Sequence, residues 1–251
     1  MSTASSLDVI DQATGLRYLF GNNTAPVHVL CCPARPALSL PLVNFLCKDL
    51  TKNGQTLMWV DEIGLNDREQ WPLPCAVKFD LSKSLEGHVD LDQGVNALTS
   101  SLWYGLSLHT HRIARVTTPL SERLTSSGIR FDSIVVSAAN GQPESFANYG
   151  PQAHFTLISG CSPEQLQQTL HWMQQVQARS TPASWRLVLA GENEPLTHAL
   201  HWFEQTSKAH LSQAVQMLGS VNADRLQAPL SDAWSGLPEL AEVLKRHLLT
   251  H

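Results

Sequence analysis

What most constrains the fold of this chain is an alternation that sets in at Val27: a short apolar run, a turn, then an amphipathic helical period. Apolar runs fall at 27–31, 56–60, 133–136, 154–159 and 185–190, and a late run at 215–218 reads as one more strand. Between them, helical spacing predicts helices over about 38–53, 163–178 and 195–207. The first carries Leu42, Phe45, Leu46 and Leu50 on one face and stops at Gly54, which suits a C′ glycine. Ser162, followed by Pro163 and Gln165, reads as an N-cap close to a capping box. Strands this continuously apolar are buried on both faces. The prediction is therefore one α/β domain over 27–251, a mainly parallel, twisted sheet flanked by helices on both faces. The stretch 65–130, interrupted by Pro72, Pro74 and Pro119, shows no regular period.

Composition narrows the function. Of 251 residues only 16% are charged, with 17 Lys and Arg against 22 Asp and Glu, and no basic run stands out. A protein that grips nucleic-acid backbones needs such a footprint, so nucleic acid is excluded as the expected partner. Five cysteines, odd in number and without CxxC spacing, argue against a disulfide framework or zinc ribbon and for reduced thiols in a cytosol. The first twenty residues have no cationic start before an apolar core, and no apolar run reaches the ~20 residues of a membrane span. The expected location is cytoplasmic, with peripheral contact at the inner membrane or a cell pole left open.

In a parallel sheet the first strand–loop–helix is the usual phosphate cradle, which needs glycines for close backbone approach and a lysine for the phosphates. Here that stretch reads Cys31-Cys32-Pro33-Ala34-Arg35-Pro36-Ala37-Leu38-Ser39-Leu40-Pro41. It has neither glycine nor lysine, and each of its three prolines removes an amide donor. Arg35 is the one cation left to meet a phosphate. The expectation is a loop that no longer holds a nucleotide, with no cofactor and no catalytic residue.

The order of these segments resembles the opening of the MinD/ParA-type ATPases, a P-loop family with a deviant Walker A loop. Placing Asn44 on the family's helix asparagine sets Pro33 at the signature lysine, Leu38 at the Walker lysine and Ser39 at the magnesium-binding hydroxyl. Asp61-Glu62-Ile63-Gly64-Leu65 is similar to the family's switch segment. Ser137 stands where the Walker B strand carries its aspartate, and Ala190-Gly191 where the family has an adenine-reading asparagine. Of the phosphate and metal set the resemblance leaves only the Ser39 hydroxyl and the Asp61 and Glu62 carboxylates. It thus implies a degenerate nucleotide site and a pseudo-ATPase.

The leader 1–24 narrows the resemblance. Asp11-Gln12-Ala13-Thr14-Gly15-Leu16-Arg17 matches DQAxxLR, the motif that precedes the ATPase domain in FlhG/FleN regulators of flagellar number and placement. In that family the segment acts as a helix on FlhF, a signal-recognition-particle-type GTPase, and stimulates GTP hydrolysis. The resemblance implies that Gln12 helps organise the partner's catalytic site while Asp11, Ala13, Leu16 and Arg17 dock the helix. It leaves flagellar basal-body components as further partners. On a helix Ile10, Ala13 and Arg17 share one face, bordered by Leu16 and Phe20, and such a face fits a partner's groove. Gly15 weakens the helix in isolation, so folding on contact is expected. The bland alternative is an N-terminal helix packed on its own domain. Asp80–Gly87 and Leu218–Asp224 are similar to further stretches of the same branch.

Near the end Leu237, Leu240, Leu244 and Leu248 recur at helical spacing beside Lys245 and Arg246. In MinD-type proteins a C-terminal amphipathic helix binds membrane. Here two firm positive charges are opposed by Glu239 and Glu242, so a last helix docked on the core competes with weak membrane contact. Metal binding at His109/His111 or His198/His201 has no ligand set at the right spacing, and no GxSxG elbow supports a hydrolase. Two other readings stay open. One is a weak ATPase with a rearranged site built from Ser39, Arg35, Asp61 and Glu62. The other is a ParA-like polar adaptor for a pilus or secretion system.

Overall fold

The computed structural model describes residues 25–108, 120–125, 130–139, 149, 153–191, 193–222, 241–242 and 244–245. The whole leader, with Asp11, Gln12, Ala13, Leu16 and Arg17, lies outside them. So do His109, His111, Leu237, Leu240, Arg246 and Leu248.

Eight strands form one sheet in the order β3-β4-β2-β5-β1-β6-β7-β8. They are β1 (Val27–Cys31), β2 (Leu57–Asp61), β3 (Asn96–Ala97), β4 (Leu102–Leu106), β5 (Ser133–Ala138), β6 (Ala153–Gly160), β7 (Ser184–Ala190) and β8 (Val215–Val221). Every neighbouring pair is parallel except β3 with β4. β1, β2 and β5 are buried at every position, which is why they read as unbroken apolar runs rather than as alternation.

Helices cover both faces, as expected. Against one face pack α1 (Ser39–Lys52), through Leu40, Leu42, Val43, Leu46 and Leu50, and the C-terminal residues Ala241 and Leu244. Against the other pack α2 (Leu81–Leu85), α4 (Leu120–Thr125), α5 (Pro163–Gln177) and α6 (Asn193–His210), with Phe155, Trp172 and Trp185 interleaved in the core. A short α3 (Leu91–Gly94) leads into β3. The Ser162 side chain accepts the Gln165 N–H at 3.3 Å, the N-cap expected of it.

Where the sequence shows no period, between 65 and 130, the described residues form β3, β4, three short α-helices and a 3₁₀ turn at Leu65–Asp67. The strand β4, LWYGL, is too short to show a period. It becomes a strand because β2 offers it an edge, pairing Leu57 with Leu102 through to Asp61 with Leu106. A Cβ at Gly105 would come within 2.8 Å of the Met58 methyl and 2.9 Å of a Leu81 methyl, so any larger residue there must push those side-chain ends aside.

Of the C-terminal residues that are described, Ala241 and Leu244 are buried, Lys245 is partly buried and Glu242 is exposed. Leu244 is 2% exposed within the core, and Lys245 Nζ lies 2.6 Å from the Asp49 carboxylate on α1. Of the two readings of that segment, these contacts are those of a helix docked on its own domain.

Candidate functional site

In an open parallel sheet ligands meet the carboxyl ends of the strands where the chain's direction of travel reverses. Here that place is the end of β1, flanked by β5 and β6. The register sets Leu30 beside Ser137, and Ser137 beside Asp61. Three of the sequence-predicted positions therefore meet: the loop after β1, Ser137 and the Asp61-Glu62 pair.

The loop 32–38 spends its donors on itself. Arg35 N–H donates to the Cys32 carbonyl at 3.1 Å and Leu38 N–H to the Arg35 carbonyl at 3.0 Å. The amides of Ala34 and Arg35 also face the Cys32 sulfur. Burial pushes that thiol up to about 11, against the pull of those amides and of the Arg35 guanidinium. A 3₁₀ turn, Pro36–Leu38, then leads into α1, and Ser39 N–H bonds the Pro36 and Ala37 carbonyls. The Ser39 hydroxyl donates to the Pro36 carbonyl at 2.7 Å and is fully buried. Leu38, at the Walker lysine's place in the resemblance, is a core residue with no exposed surface. The Pro33 carbonyl accepts from Gln168 Nε2 of α5 at 3.4 Å.

Arg35 points across the surface to Glu69, its Nε 2.9 and 3.0 Å from the two carboxylate oxygens. The bond holds the Glu69 carboxyl below its usual range and the guanidinium above its own. Glu69 and the following Gln70 both have positive φ, 47° and 67°, rare for residues with a Cβ.

Asp61 is completely buried and saturated. Its Oδ2 accepts Arg68 Nη1 and the Tyr104 hydroxyl, each at 2.7 Å. Its Oδ1 accepts the Ile63 N–H at 3.0 Å and the Ser137 hydroxyl at 3.2 Å. Trp59 Nε1 in turn donates to the Ser137 oxygen at 3.0 Å, and the Trp59 and Tyr104 rings meet edge to face. Arg68 is 4% exposed at its side chain, and its guanidinium also reaches the carbonyls of Ile63, Trp71 and Pro72. The carboxylate that the resemblance offers to a metal is thus the centre of an internal ion-pair network.

Glu62 points to the opposite face. It is 6% exposed and accepts a hydrogen bond from the buried Tyr149 hydroxyl. Desolvation raises its carboxyl to about 8, opposed by the Tyr149 hydrogen bond and assisted by the Asp61 charge. Burial likewise pushes the Tyr149 hydroxyl and the Cys31 thiol upward. At β7's end Gly191 N–H bonds the Val221 carbonyl at 3.0 Å, and a Cβ on Gly191 would lie 2.3 Å from Cys161 Sγ. Among the described residues, no group of three His, Cys, Asp or Glu side chains is placed to hold a metal ion.

Arg68, Tyr104, Tyr149, Trp59 and Glu69 shape this site, and the sequence points to none of them. Arg68 had the one available signal, an arginine seven residues past the strand-end aspartate in a charge-poor chain. Trp59, Tyr104 and Tyr149 are 78, 43 and 87 positions from the hydroxyl or carboxylate they bond, and no local pattern links them.

No protein-family model matches the sequence, and no curated protein does. Solved structures do match. A McdA–ATP complex from Cyanothece superposes with a TM-score of 0.62 at 13% identity, covering 88% of this chain and 94% of that one. MinD in a MinC:MinD cell-division complex from Aquifex aeolicus gives 0.60 at 13%, over 90% and 96%. The cell-division ATPase MinD of Pyrococcus furiosus gives 0.55 at 13%, over 88% and 99%. At such identities the likeness speaks for the backbone and not for the site. The chain is a single α/β domain with the fold of the MinD/ParA-type P-loop ATPases.

Proposed function

We propose that this chain is a non-catalytic regulator of flagellar number and placement. It binds a signal-recognition-particle-type flagellar GTPase through its N-terminal segment and stimulates GTP hydrolysis. The observation that carries the non-catalytic part is the occupancy of the phosphate and metal positions. Leu38 is core, the Ser39 hydroxyl is bonded to Pro36, Asp61 is closed by four donors and Arg35 is drawn to Glu69. A triphosphate brought here would meet no lysine, and its transition-state charge would have no fixed counter-charge. The regulatory part rests on the DQAxxLR match at Asp11–Arg17, ahead of a domain with the MinD-type fold. Basal-body components are further partners on this reading, and the site of action is a cell pole or the inner-membrane surface.

Two measurements test it. The full chain added to the flagellar GTPase raises GTP turnover, and Gln12→Ala lowers that stimulation by roughly tenfold to a hundredfold, the cost of a misplaced catalytic group. Absence of stimulation by the wild-type chain rejects the reading. Separately, saturating Mg-ATP leaves the melting temperature unchanged within about one degree. A ligand at a hundred times its Kd would add ~2.7 kcal/mol, several degrees for a domain of this size. Such a rise would favour the weak ATPase.

A further inference from the structure

The face of the sheet that carries α1 also holds a groove. α1 packs over β2 and β4, and beside it runs the segment 71–77, whose residues alternate between partly buried (Trp71, Leu73, Cys75, Val77) and exposed. Between the two lies a groove of about 550 Å³. Buried Trp59 and Leu102 form its floor, and partly buried Trp71 and Leu98 its walls. The wall at Trp71 is fixed from inside the protein. Arg68 Nε donates to the Trp71 carbonyl at 3.1 Å, Arg68 Nη2 to the Pro72 carbonyl at 3.3 Å, and the Trp71 N–H to the Arg68 carbonyl at 2.8 Å. The same guanidinium is anchored on buried Asp61, so this wall is set before any partner arrives. The rim is cationic. Lys48 and Lys52 lie one turn apart on α1, both are exposed, and neither forms an ion pair with a described residue. Asp49, next to Lys48 in the chain, is taken by Lys245 at 2.6 Å. No acidic residue is among the groove's described lining, in a chain where acids outnumber bases 22 to 17.

We propose that this groove docks an acidic amphipathic helix of another protein. The unpaired lysines select carboxylates, and α1 sets their spacing. Residues four apart rise about 6 Å along a helix, so Glu or Asp at i and i+4 of a helix lying alongside meets both lysines. The aromatic floor selects bulky apolar side chains on the adjoining face, inserted as an amphipathic helix inserts them into a hydrophobic groove. A strand fits less well, because Pro72 and Pro74 leave that wall without amide donors at both positions. Docking here is independent of the N-terminal segment and of the flagellar function proposed above.

The probe is a fluorescein-labelled designed helix of about 16 residues, long enough to hold on its own. It carries leucines on one face and glutamates at i and i+4 beside them, and its twin has lysine at every glutamate. Fluorescence polarisation with the full chain is expected to favour the glutamate helix over the twin by roughly tenfold, the scale of two exposed ion pairs made rather than reversed. Lys48→Glu with Lys52→Glu, both at exposed positions, inverts that preference. Thr99→Trp, at an exposed position of the lining, obstructs the groove and weakens the glutamate helix by roughly tenfold while leaving both lysines in place. Equal affinity of the wild type for the two helices, or a preference that the double variant fails to invert, overturns the proposal. A loss in the lysine variant with none in Thr99→Trp overturns it too, since the probe then reads surface charge alone. Self-association of the wild type that the double variant abolishes assigns the groove to a second copy. Lysine-dependent sedimentation with phosphatidylglycerol vesicles, with no binding of either helix, assigns it to a membrane. Each of these last two results overturns the docking of a partner helix. Gln12→Ala leaves binding of the probe unchanged, so failure of the flagellar reading and failure of this one are separately visible.

Discussion

Arg68→Met is expected to lower the melting temperature by about 10 °C, the counterpart of a loss of about 3–5 kcal/mol when one member of a buried ion pair is removed. Among the described residues the guanidinium is the only cation bonded to Asp61, and Asp61 has no exposed surface, so the substitution leaves a carboxylate in the core without its counter-ion. It also strips donors from the carbonyls of Ile63, Trp71 and Pro72, which the planar fork of the arginine serves together. Arg68→Lys recovers little, because an ammonium cannot reproduce that fork. Asp61→Asn combined with Arg68→Met recovers much of the loss, since the cost lies in the orphaned charge more than in the missing attraction. Tyr104→Phe removes one donor of four and costs ~1 kcal/mol. Denaturant unfolding of these variants, with Asp61→Asn alone added, closes the cycle. A loss under ~1 kcal/mol for Arg68→Met would mean that the network does not hold the segment 61–72. With a folded domain retaining only ~5–15 kcal/mol, this pair is a large share of what keeps that end of the sheet closed.

Glu62→Gln is expected to stabilise the protein at pH 8 and to leave it nearly unchanged at pH 4. Burial raises the Glu62 carboxyl from an ordinary 4.5 to about 8 in the folded chain. Between those values the folded state holds a proton that the unfolded state has released, so stability falls as pH rises, by up to ~1.4 kcal/mol per unit. The contribution of the protonated carboxyl is complete below pH 4.5 and is lost as pH climbs through about 8, above which the slope flattens. A glutamine keeps an acceptor for the Tyr149 hydroxyl and has nothing to ionise, so its stability curve lacks this slope. The difference between wild type and variant, read from urea titrations at several pH values, isolates Glu62 from every other group. It should open to several kcal/mol by pH 8. Parallel curves would show that Glu62 is not held protonated by its surroundings.

The covalent order of the chain made the fold legible because its central strands are buried on both sides and its helices on one. β1, β2, β5, β6 and β7 are predominantly apolar runs, interrupted by His28, His154 and Arg186, and α1 and α5 carry their apolar stripe at helical spacing; these are local signals that survive without knowledge of any partner. The make-up of the loop after β1 was equally legible, since glycine and lysine are either present between Cys31 and Pro41 or not. β4 was not, because five residues hold no period and its strand character comes from the edge of β2.

What becomes of the carboxylates at the end of β2 was decided only in three dimensions. Asp61 and Glu62 are adjacent in the chain and identical in what their sequence promises, two carboxylates at a strand end. Successive residues of a strand point to opposite faces, so one meets Arg68, Tyr104 and Ser137 and the other meets Tyr149 in an apolar pocket. Residue order along the chain was enough to imply a mainly parallel sheet and a first loop with neither glycine nor lysine. Folding in space put one carboxylate in a buried ion pair and its neighbour where burial raises its pKa, because desolvation and distant partners, rather than nearest neighbours, set the state of a buried charge.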